Sequence, residues 1–168
     1  MSQYYLTNPF DISSDPKKLQ TYGTPVSAIS SVLYNNLQTI FSYKTFSEPD
    51  LLDACLKKWT KKASSNVYLQ ELDVRVGAGL APLGFSRNSS DVTGLITPGY
   101  ALPYFVNTFQ DAKDSDAKFF VNAASLNYEE KTGSIVNDYI TPLDAASKLD
   151  FTVVTPVSAN EVQAVSLL

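Results

Sequence analysis

The groups that could do chemistry in this chain are few and unevenly placed. Its 168 residues contain no histidine and a single cysteine, Cys55. Without imidazole there is no Ser-His-Asp or Cys-His catalysis and no histidine acid or base. A lone cysteine gives neither an intramolecular disulfide nor a thiolate zinc site. Glu71, Asp73 and Asp91 are the carboxylates that a cleft would have to gather for acid–base work. Asp111, Asp114 and Asp116 lie close enough to suggest calcium. The spacing, glycine and closing glutamate of an EF-hand are missing, so a solvated turn is expected there. Lys57, Lys58, Lys61 and Lys62 form a basic cluster, read first as a solvated helix end and second as an electrostatic docking spot.

Gly77-Ala78-Gly79 follows an alternating segment and invites a dinucleotide reading. The fingerprint wants its third glycine at position 82, whereas Gly84 stands two places late, and Pro82 with Gly84 argues against a helix starting there. Nucleotide binding is therefore rejected. Asn8-Pro9-Phe10 reads as a turn before a packed aromatic, and the sequon Asn88-Ser89-Ser90 as chance. No catalytic residue, cofactor or metal ligand is assigned.

Composition bounds the class. The chain is 44% hydrophobic and only 18% charged, with ten tyrosines and nine phenylalanines. Its net charge of −4 argues against direct nucleic-acid contact, which rests on Lys and Arg neutralising phosphates. No basic-then-apolar leader and no apolar run of transmembrane length is present, so synthesis in the cytoplasm without membrane insertion is expected.

The elements that must position these residues begin with an extended arm over 1–25, punctuated by Pro9, Pro16 and Pro25. Helical spacing of Val26, Ile29, Leu33, Leu37 and Ile40 predicts a helix to about residue 42. Ser47-Glu48-Pro49-Asp50 opens a second, whose apolar face is Leu51, Leu52, Cys55, Leu56 and Trp59. A five-residue connection would make 26–62 a helical hairpin.

Residues 77–109 hold five of the seven glycines and three of the nine prolines, with a high apolar content. The spacing predicts a loop over 77–99 and an aromatic edge strand over 100–110, limited by Pro103. Further strands are expected over 68–76, 118–128, 135–140, 151–157 and 162–168, with a hairpin turn at 129–134 and a short helix over 141–148. The fold expected is α+β: an N-terminal helical hairpin packed on a mostly antiparallel sheet of five or six strands, with a long Gly/Pro-rich loop. The domain expectation is one α+β domain over 26–168, the hairpin at 26–62 and a β-rich part at 66–168.

An aromatic arm, a covered-or-sticky central segment and an apolar terminus are three places that want a neighbour. They lead to the expectation of a non-enzymatic structural subunit of a large particle, a virion or phage-like cement, tail or connector protein. Its partners would be protein subunits of the same assembly in a homo-oligomer, and its location the virion. The candidate interface residues are Tyr4, Tyr5, Phe10, Leu83, Phe85, Tyr100, Leu102, Tyr104, Phe105, Leu167 and Leu168. A second reading is a small-molecule, pigment, glycan or peptide binding module using Tyr100, Tyr104, Phe105 and Trp59. A third is a carboxylate-based enzyme.

Overall fold

The architecture is that of a computed structural model, which describes residues 25–43, 51–61, 65–73, 77–129, 132–138, 140–149, 151–155 and 161. In chain order the elements are α1 (Pro25–Asn36), β1 (Thr39–Tyr43), α2 (Leu51–Thr60), β2 (Tyr68–Leu72), α3 (Leu80–Asn88) and β3 (Thr93–Pro98). A 3-10 helix (Gly99–Phe105), α4 (Val106–Asp114), β4 (Phe119–Ala124), β5 (Leu126–Glu129), β6 (Ser134–Asn137) and α5 (Ile140–Lys148) follow.

Strand and helix alternate, which is the pattern of a parallel sheet. The four-stranded sheet runs β2-β1-β3-β4. Phe41 of β1 stands beside Leu95 of β3, and Leu95 beside Val121 of β4, in parallel register. This is a parallel α/β sheet of the flavodoxin-like strand order, so the expected antiparallel α+β sheet of five or six strands is corrected. Antiparallel pairing among the described strands is confined to the β5–β6 hairpin, whose turn carries Gly133 at φ 67°, as the sequence led one to expect.

The chain divides into two compact units, one of Met1–Gln38, Asp50–Leu69 and Val154–Leu168, the other of Thr39–Pro49 and Gln70–Val153. In the first, α1 packs against α2, Val32, Leu33, Leu52, Leu56 and Trp59 are buried, and Tyr34 is edge-on to Trp59 at 5.7 Å. The two helices are neighbours as expected. They are not a simple hairpin, because β1 lies between them in the chain. Asp53 is buried with its carboxylate 3.3 Å from Lys57 Nζ, one turn on.

In the second unit, every residue of β1 and β3 is buried. Strands covered on both faces lose the alternating pattern that marks a half-buried strand. One face carries Phe41, Tyr43 and Leu95 into a core completed by Ala101, Leu102, Phe105, Phe109 and Ala145. The core is aromatic-rich: Phe109 meets Phe119 at 5.7 Å and Phe151 at 4.9 Å, both edge-on.

The stretch 77–109 departs most from expectation. Gly77 to Gly79 form a turn, and α3 starts at Leu80 with Pro82 in its first turn, where a missing N–H is harmless. Residues 93–98 are the central strand β3. The expected edge strand at 100–110 is instead the 3-10 helix running into α4. Of the two strands expected near the end, residues 151–155 are not in a strand, and 162–168 lie outside the described residues.

Candidate functional site

Strand order fixes where a parallel sheet of this kind can form a site. The chain passes from β1 to β2 on one side and then to β3 on the other. The carboxyl ends of β1 and β3 therefore flank the point where the order reverses, the usual place for a ligand crevice. Tyr43 ends β1 there, and Pro98 ends β3.

Aromatic side chains of the chain pack on the last residue of β1. After Pro98 the backbone coils into the 3-10 helix, whose buried residues include Gly99, Leu102 and Phe105, spaced three apart. At about three residues per turn these share one face of a 3-10 helix. Phe105 is 0% exposed and meets the Tyr43 ring at 5.4 Å and 87°. Tyr104 contacts the same ring at 6.2 Å and 64°, while remaining 43% exposed.

Polar groups at the strand ends are closed in as well. Thr97 Oγ1 donates to the Pro98 carbonyl oxygen at 3.2 Å. Ser42 Oγ has no hydrogen-bond partner among the described residues, and Ser42 is completely buried. The segment that follows β1, 44–50, lies outside the described residues.

Two glycines near the strand ends serve packing. A Cβ on Gly79 would fall 1.7 Å from Thr108 Oγ1, so this residue allows close approach of α3 to α4. A Cβ on Gly99 would sit 2.8 Å from the Ala124 carbonyl oxygen and 3.1 Å from Pro142 Cγ. The strand–turn–helix context that was argued away for 77–79 does exist. Its Gly79 is nevertheless already occupied by a neighbouring side chain.

The remaining candidates are dispersed. Leu83, Leu102 and Phe105, expected at an interface, are buried inside; Phe85 and Tyr100 are half-buried against the core, and Phe85 is edge-on to Phe41 at 6.1 Å. Tyr104 alone of the described set is exposed. Tyr4, Tyr5, Phe10, Leu167 and Leu168 lie outside the described residues. Trp59 is buried beside Tyr34. Asp111 and Asp114 are exposed on α4, and no group of three or more potential ligands gathers among the described residues. Arg87 ties α3 to α4, donating from Nε to Ser115 Oγ at 3.2 Å and from Nη2 to the Asp111 carbonyl oxygen at 3.3 Å. Among the described residues no helix is long and apolar enough to cross a membrane.

Sequence reasoning missed β1 and β3, the two strands that define the crevice. The one signal available was the run Thr93 to Pro98, six residues bounded by a polar turn and a Pro-Gly pair.

No family model matches the chain, and no solved structure matches it. A curated relative does: the "Sulfite reductase [NADPH] flavoprotein component" of Saccharomyces cerevisiae is 54% identical over 168 residues, covering 98% of this chain. The chain spans only 16% of that relative's length. This overturns the expectation of a non-enzymatic virion or phage-like subunit, together with its capsid or tail partners and its virion location. Nearly the whole chain aligns with part of a reductase component, and among the described aromatic residues that suggested a sticky assembly surface Phe105 is core and Phe85 and Tyr100 pack against it.

Proposed function

We propose that the chain is an α/β segment of a flavoprotein component of an NADPH-dependent sulfite reductase. In this reading it contributes a folded module to a polypeptide that passes reducing equivalents from NADPH toward sulfite. The observation that carries it is identity of 54% along nearly the full chain, too extensive for a shared motif. The parallel order β2-β1-β3-β4 agrees, being an architecture widely used by flavin and nucleotide proteins, though fold alone assigns no activity. Because the alignment covers about a sixth of the relative, oxidation of NADPH and reduction of sulfite are proposed for the longer polypeptide.

A chimera tests the reading. The aligned segment of the Saccharomyces cerevisiae protein is replaced by these 168 residues, and NADPH-dependent sulfite reduction is assayed in extract. Activity near that of the parent is expected. A chimera made at normal abundance, but no more active than a strain lacking the component, would refute the proposal.

A further inference from the structure

Helix α5 (Ile140–Lys148) has one face that the fold explains and one that it does not. Ala145 is buried, Leu149 packs against the core just beyond the helix, and Pro142 lies against the backbone beside Gly99. The opposite side begins with Ile140, 80% exposed, and Leu143, 49% exposed. Three residues apart, they share one surface of the first turn. Nothing local to the helix asks for them. A first turn favours acidic residues that meet the helix dipole, and isoleucine is a middling helix former. The start is already fixed by Asp138, whose Oδ1 accepts the Thr141 backbone N–H at 3.0 Å. One turn on, the same side becomes polar, with the exposed Asp144–Lys148 ion pair at 2.6 Å.

We propose that Ile140 and Leu143 form a docking point for another part of the same longer polypeptide, with the Asp144–Lys148 pair at its polar rim. This rests on the proposed function. The relative is 54% identical along the chain, yet the chain makes up only 16% of its length, so in that reading most of the polypeptide lies outside these residues and is tethered to them. Tethering decides between occupants. One apolar helical turn is far less than the about 1,200–2,000 Å² that a stable contact between separate proteins buries. A second copy or a free partner would not be held by this face alone. Contacts between domains of one chain are smaller and more polar, about 600–1,500 Å². Covalent linkage also supplies an effective concentration in the millimolar range, at which a weak contact stays closed. An apolar turn bordered by an ion pair suits that class of interface. The segment received should offer an apolar pocket to Ile140 and Leu143, with polar groups facing Asp144 and Lys148.

Photo-crosslinking in the Saccharomyces cerevisiae chimera reads the contact. The photoreactive residue p-benzoylphenylalanine replaces Ile140 in one sample and Asp111, exposed on α4, in another. After irradiation, mass spectrometry locates the attached residues, and gel mobility separates crosslinks within one polypeptide from those between two. Position 140 is expected to crosslink to the same polypeptide outside the 168 residues, about tenfold more than position 111, as a tethered contact requires. Crosslinks from position 140 that fall within the 168 residues, join a second polypeptide, or only match position 111 in yield would overturn the proposal. The crosslink is read whether or not the chimera is active, so the two proposals fail separately. An active chimera without the crosslink removes the docking point alone, and an inactive chimera that still shows it removes the functional reading alone.

Discussion

Truncating Phe105 and its neighbour Tyr104 separately distinguishes a core position from a sticky surface. Phe105 is fully buried, whereas Tyr104 is 43% exposed, although both touch the Tyr43 ring. Replacing a buried Phe by Ala loses its transfer free energy and leaves a cavity, together about 3–5 kcal/mol. A value of about 4 kcal/mol is expected for Phe105→Ala, since its ring contacts with Tyr43 and Phe109 go as well. With a urea slope of about 2 kcal/mol/M, the midpoint falls by about 2 M. Tyr104→Ala keeps the buried packing and should cost about 1 kcal/mol or less, a midpoint shift of about 0.5 M. The assay is equilibrium urea unfolding followed by far-UV circular dichroism. If Phe105→Ala is too unstable to fold, Phe105→Leu serves, with an expected loss of about 1.5 kcal/mol. Equal shifts for the two positions, or a shift near zero at Phe105, would refute the assignment of Phe105 to the core.

Two further substitutions probe helix packing and helix capping. Gly79→Ala places a methyl on Thr108 and should cost about 1–3 kcal/mol. The loss should shrink in a Thr108→Ala background, and the same loss in both backgrounds would rule out the close α3–α4 approach. Asp138 Oδ1 accepts the Thr141 backbone N–H at 3.0 Å, capping the first turn of α5. Asp138→Ala should lower stability by about 1 kcal/mol and Asp138→Asn by less, as read by urea midpoint. An unchanged midpoint for the alanine variant would remove that cap.

Local chemistry made some elements legible in the sequence alone. Period-3.6 spacing located α1 and α2. Lys57 and Lys58 marked the carboxyl end of α2, where cations offset the helix dipole. Gly133 marked the β5–β6 turn, because its positive φ is strained for any side chain. Ile140–Lys148 was also legible as a short helix. These signals need nothing beyond neighbouring residues.

What required the tertiary structure was everything that depends on being covered. Thr39–Tyr43 and Thr93–Pro98 are buried on both faces, so no alternation betrays them, and Ile40 and Phe41 simply extended the periodicity of α1. Their parallel pairing joins residues more than fifty positions apart, which no local pattern encodes. Tyr100, Leu102 and Tyr104 alternate like a strand, yet the backbone coils so that Gly99, Leu102 and Phe105 turn inward together. Pro82 and Gly84 looked like helix breakers, but one sits in the first turn and the other faces open space. The sequence supplied aromatic residues that had to be covered somewhere. Only the packing of helices on the sheet decided that Tyr43, Phe105, Phe109, Phe119 and Phe151 cover one another.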